Sequence, residues 1–308
     1  MPAYPIQSES GIKEAIIRVI AFFDMFDHPL TAYEIMTQLD KKWSYDSIIG
    51  FLETAIRKST AAPVGVNNVL ARKNGFYFFV GREDIVETRQ KRHNYSARKI
   101  KIARRFMRLF ALWPSVKMIA LANSLGQHNL RDGSDIDFFI VSAPRRVWLT
   151  RLYCTGLAKL ANRRPNATSK RDKICLSFYV GADRLDLDDL RLPGSDPYFD
   201  HWRQSLVLLY NRSKTYEKFL AANGLSAAAR NLGLDKSALH YKNGNKIGDK
   251  LELLAKKIQL AIMPAELKSL MNASDGVVIN DSILKLYQRD RRREYAEKYE
   301  KKVAEILG

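Results

Sequence analysis

The chain alternates between helix-period and strand-period stretches. Residues 12–25 carry apolar side chains three and four apart and read as an amphipathic helix. It ends at His28-Pro29-Leu30, after which Thr31, with Glu34 three positions on, reads as the capping box of a second helix. A third helix starting near Ser44 or Asp46 would turn Ile48, Ile49, Phe51 and Leu52 inward. Residues 69–80 then form two apolar runs around Asn74-Gly75, a hairpin signal. Residues 83–112 read as one long helix whose apolar face is Ile100, Ala103, Phe106, Met107 and Phe110. Two buried strands follow, 116–122 and 135–141, separated by the turn formers Asn123-Ser124-Leu125-Gly126 and a polar link to Gly133-Ser134. A helix covering the sheet follows Pro144, and Ile174 to Val180 is a further strand. Beyond the linker at Pro193, Gly194 and Pro197 the pattern predicts helices over 198–210, 215–222, 250–263 and 282–307. A flexible turn is expected at 242–245 and a short strand at 277–279.

In a strand, residues two apart share a face. Asp135 and Asp137 therefore project together while Ile136 turns away. Two carboxylates on one face at the mouth of a buried strand repel, and a divalent cation with oxygen ligands offsets that repulsion. The plainer alternative is a pair that only caps the strand or binds a structural cation.

The arrangement resembles the nucleotidyltransferase superfamily that includes DNA polymerase beta and the small bacterial nucleotidyltransferases. Asn123-Ser124 stands where that family has Gly-Ser, and Ser134-Asp135-Ile136-Asp137 matches its Ser-Asp-Ile-Asp. The likeness covers residues 113–185. It implies transfer of a nucleoside monophosphate from a nucleoside triphosphate such as ATP to an acceptor hydroxyl or protein side chain, releasing pyrophosphate. It implies Mg2+, or Mn2+, held by Asp135 and Asp137, with the triphosphate near Asn123, Ser124 and Ser134 and neutralised by Arg131, Lys170 or Arg171. Two departures stand out. Asn replaces Gly at 123, and strand 174–180 lacks the third carboxylate; Asp172 at its entrance is the nearest substitute, with Asp183 and Asp186 beyond its exit. A catalytically degenerate, nucleic-acid-binding regulator of the same fold is the rival reading.

The fold class expected is α+β: a winged-helix-like domain over 1–82, a basic connector helix over 83–112, a nucleotidyltransferase core over 113–192 and a helical region over 193–308. The formal net charge of +18 favours a polyanionic partner. The helix over 89–108, with Arg98, Lys99 and Lys101 among its cations, is the candidate surface for nucleic-acid backbone, or else a solvated connector. The third helix carries little positive charge, so the first domain serves protein contact or scaffolding at least as well as groove reading. Cys154 and Cys175 lie in apolar contexts and read as packing residues. No histidine pair has zinc spacing, and His128 in the polar link reads as a surface residue. With no signal-peptide pattern and no membrane-length apolar run, a cytoplasmic protein with no membrane partner is expected.

Overall fold

The computed structural model describes residues 9–39, 43–61, 69–123, 129–166, 168–225 and 246–308. These form an α+β protein in two compact units, residues 1–94 with 293–308, and residues 95–292.

The first unit contains α1 (Glu9–Asp24), α2 (Ala32–Gln38) and α3 (Tyr45–Ala61), then the antiparallel hairpin of β1 (Leu70–Lys73) and β2 (Phe76–Phe79). Asn74 and Gly75 both have positive φ, 54° and 80°, as a tight two-residue hairpin turn requires. The capping box of α2 is present: the Thr31 hydroxyl accepts from the Glu34 amide, and the Thr31 amide donates to the Glu34 carboxylate at 2.9 Å. Burial alone would raise the Glu34 carboxyl. Hydrogen bonding and charge from Arg89, with the Thr31 donors, outweigh that and hold it at about 2. Isoleucines 16, 17 and 20 of α1 are buried in the core. The far end of the chain completes this unit: Tyr295 and Tyr299 pack on Phe26 and Phe22, and Lys302 pairs with the buried Asp24.

Helix α4 (Asp84–Ala111) begins in the first unit and ends in the second. The second unit is a six-stranded mixed sheet in the order β6-β3-β4-β5-β8-β7. Its strands are β3 (Val116–Leu121), β4 (Ile136–Ser142), β5 (Ile174–Gly181), β6 (Val207–Asn211), β7 (Val277–Ile279) and β8 (Ile283–Leu286). Among the described residues only β4 and β5 pair in parallel, through the crossover helix α5 (Val147–Leu160). Strand alternation sends Ile119, Leu121, Ile136, Phe138 and Ile140 to a core shared with Trp148, Phe106 and Phe110. Met118, Ala120, Phe139 and Val141 point the other way. They meet Phe199 and Trp202 of α6 (Pro197–Gln204) and Phe219 of α7 (Thr215–Ala222). The crossover helix has no side-chain cap of its own. Glu252 of α8 (Lys246–Ala261) supplies one, accepting from the Trp148 and Leu149 amides at 2.8 and 2.9 Å.

The region 193–308 is not purely helical. It contributes half of the strands of the sheet, and the expected helix over 198–210 splits into α6 and β6. The run Val207-Leu208-Leu209-Tyr210 is short enough to serve either element, and pairing along the open edge of β3 decides it. Likewise 282–307 divides. Asn280 accepts from the Ser282 and Ile283 amides and launches β8 between β5 and β7, while α9 (Ala265–Ser269) precedes this hairpin and α10 begins only at Arg292 (Arg292–Leu307). The turn expected at 242–245 lies outside the described residues.

Candidate metal centre

The strands dictate the site. Antiparallel pairing of β3 with β4 brings Ala122 beside Asp137, whose carbonyl accepts the Ala122 amide at 3.0 Å. The next residue, Asn123, has φ +55°, the left-handed conformation in which Asn is among the few tolerated substitutes for Gly. Its side chain hydrogen-bonds the Asp137 carboxylate and reaches the Tyr287 phenol. Ser124 and His128 lie outside the described residues.

The segment before β4 is held from behind by Lys99. This ammonium is fully buried and donates to the Asp132 carbonyl (3.0 Å), the Ser134 carbonyl (2.5 Å) and the Asp172 carboxylate (3.0 Å). Arg98 joins it, bonding Asp132 at 2.6 Å and Asp172 at 3.1 Å. These bonds fix the backbone one residue ahead of Asp135. They also occupy Asp172: its carboxyl, which burial would raise, is lowered by Lys99 and Arg98. The expected substitute ligand is thus engaged as the acceptor for two cations of α4.

The third group of the cluster is Cys175. Parallel register sets Asp137 opposite Cys175, and both side chains leave the same face. The Cys175 sulfur and one carboxylate oxygen each of Asp135 and Asp137 all lie within 4.8 Å of one another. No other such group of His, Cys, Asp and Glu occurs among the described residues. All three residues are half-buried. Burial, then the Asp135 charge, pushes Asp137 up to about 6, against hydrogen bonds from Asn123 and the Cys175 thiol. Burial likewise raises Asp135, despite the positive charges of Lys170, Lys99 and Arg164. Burial and the two carboxylates push the Cys175 thiol well above its ordinary value.

The other expected site residues divide. Lys170 is exposed and acts electrostatically on Asp135. Arg171 turns to Asp132 at 3.2 Å. Arg131 is exposed, and Ser134 contributes its carbonyl to Lys99. Two carboxylates on one rim suit a hard divalent cation, but the thiol beside them does not belong to an all-oxygen Mg2+ shell. The apolar neighbours of Cys175 point to packing, and the structure instead puts it in the cluster. The signal that finds it is the register of two parallel strands, which sets residue 175 level with 137.

No family model matches the chain, and no curated protein or solved structure matches it.

Proposed function

We propose that this chain is a divalent-cation-dependent nucleotidyltransferase, with a nucleotidyltransferase-like core in the second unit and a winged-helix-like first unit. The observation that carries the reading is the convergence of Asp135 and Asp137 at the entrance of β4, beside the left-handed Asn123 turn. The sequence order of strand, turn-forming residues, polar link and acidic strand supports it. So does the three-helix and hairpin arrangement ahead of it.

Asp135 and Asp137 would hold the cation, which would supply positive charge against the triphosphate and the departing pyrophosphate. Asn123 keeps the Asp137 carboxylate oriented through its hydrogen bond. Lys170, whose charge acts on Asp135, and Arg131 are both exposed and would neutralise phosphate oxygens. Lys99 and Arg98 position the strand entrance.

The test is mass spectrometry of the protein and of added RNA after incubation with each nucleoside triphosphate and a divalent cation. Wild type should transfer a nucleoside monophosphate. Asp135→Asn and Asp137→Asn should each lower transfer by about a hundredfold or more, as loss of a comparable electrostatic group does elsewhere. Both should fold, because each relieves repulsion in the metal-free pair. Asp172→Asn should keep its transfer rate and lose thermal stability. Full activity in Asp135→Asn would sink the reading.

One observation favours a second reading, a nucleotide-binding regulator that has lost turnover: a thiol stands where the resemblance implies a third carboxylate. Nucleotide binding without transfer to any acceptor would decide for it.

A further inference from the structure

We infer that the centre between β4 and β5 is built for a thiophilic divalent cation of the Zn2+, Co2+ and Cd2+ class, with Cys175 as its third protein ligand. Mg2+ held by oxygen alone is the alternative it displaces. The inference rests on the metal centre proposed above and names the ion that centre prefers.

Geometry comes first. Two donors that each sit roughly 2.0–2.3 Å from one ion are separated by at most about 4.6 Å, and usually by less. Donor atoms of Asp135, Asp137 and Cys175 already fall within 4.8 Å of one another, so small rotamer adjustments close the set. Position 175 is not adjustable along the strand. The pairing of Ile136 with Ile174 and Asp137 with Cys175 fixes it, and Ser177 follows with its hydroxyl 3.1 Å from the sulfur.

Donor chemistry then selects the ion. Mg2+ demands a near-ideal octahedron of oxygens and sheds water reluctantly, and a thiolate suits it poorly. Thiolate with carboxylate suits softer borderline ions. Strand β5 offers no carboxylate between Ile174 and Gly181, and the Asp172 carboxylate is bound to Lys99 and Arg98. A harder third ligand is therefore not supplied from this strand or its entrance. Asn123 supports the set from behind by hydrogen-bonding Asp137, as an outer partner orients a ligand. Ligation breaks the Cys175 S–H bond and forms one sulfur–metal bond. The proton leaves to solvent and no oxidation state changes.

The experiment titrates the full chain, kept reduced by a non-thiol reductant, with Co2+ or Cd2+ alone and in competition with Mg2+. It reads the sulfur-to-metal charge-transfer band and the calorimetric affinity. Wild type should show the band. Cys175→Ser should lose it, with an affinity for Co2+ and Cd2+ lower by about 10–100-fold or more, the range that loss of even an outer partner spans. Its Mg2+ affinity should stay within about twofold, since the oxygen ligands remain. Cys175→Asp should shift preference toward Mg2+, and thermal melting checks that each variant folds. Equal Co2+ affinity in wild type and Cys175→Ser, or a band that survives the substitution, overturns the inference. The band with no nucleotide transfer would sink the proposed reaction and leave this inference standing. Transfer with Mg2+ and no thiolate band would do the reverse.

Discussion

Glu34 is a carboxylate tied to its neighbours on two sides, by the Thr31 cap and by Arg89. Its acidity in the folded state is about 2 against an ordinary 4.5. A depressed carboxyl contributes stability that is present above the unfolded value and is lost as pH falls through the folded one. The melting temperature of the wild-type chain should therefore fall between pH 4.5 and about 2 more steeply than that of Glu34→Gln. Parallel curves for the two would refute the assignment. This cap is legible in the sequence, because Thr and Glu three apart before an apolar run satisfy local backbone donors without help from elsewhere. Asp135 and Asp137 are legible for a similar reason, since a period of two needs no tertiary information. Cys175 is not. Its neighbours in sequence are apolar, and its sulfur comes beside the carboxylates only through the pairing of two strands in register, Asp137 opposite Cys175.

Helix α4 shows what periodicity can and cannot reveal. Its length and apolar face are plain from spacing. The fate of its cations is not. Arg89 and Arg92 bond groups of the first unit, namely Glu34, Asp27 and the Phe26 carbonyl. Lys99 is fully buried. Lys101, Arg104, Arg105 and Arg108 are exposed, and they are the residues a polyanion would meet. If α4 binds nucleic acid, replacing these four with Gln should flatten the salt dependence of RNA or DNA binding. The log–log slope should shrink by roughly 0.7–0.9 for each phosphate no longer neutralised. An unchanged slope would leave α4 as a structural helix. Lys99→Met should instead cost on the order of 3 kcal/mol, since it removes the buried donor of the Asp132 and Ser134 carbonyls and leaves Asp172 with Arg98 alone, and denaturant unfolding would measure it. Strands β6 and β8 are illegible locally, because the apolar run Val207-Leu208-Leu209-Tyr210 carries no period and Ile283-Leu284-Lys285-Leu286 is too short to show one, so both suit a helix equally well. Competition for an open sheet edge, a non-local event, settles them as strands.

At the scale of the molecule, the order of patterns along the chain suggests consecutive domains. In the structure residues 293–308 group with residues 1–94, so the segment 95–292 that forms the second unit falls between them in sequence. No helix among the described residues is long and apolar enough to cross a membrane. A fragment cut at 113–192 would lack β6, β7 and β8, leave the outer edges of β3 and β5 bare, and should fail to unfold cooperatively. Removing residues 293–308 should lower the melting temperature and open residues 9–94 to protease, because Asp24, Phe22 and Phe26 lose Lys302, Tyr299 and Tyr295. Protease resistance unchanged by that deletion would contradict the assignment of α10 to the first unit.

A ribosome makes that pairing a matter of timing. Helix α1 emerges early, but the helix that closes over it is encoded about 200 residues after the end of its own segment. At roughly 5–20 residues per second, Phe22 and Phe26, made about 270 residues before Tyr299 and Tyr295, wait on the order of 14–54 s for their partners. The sheet of the second unit can assemble during that interval, so the part of the protein translated first is finished last. A nascent chain stalled before residue 293 should carry a protease-resistant second unit and an incomplete first one.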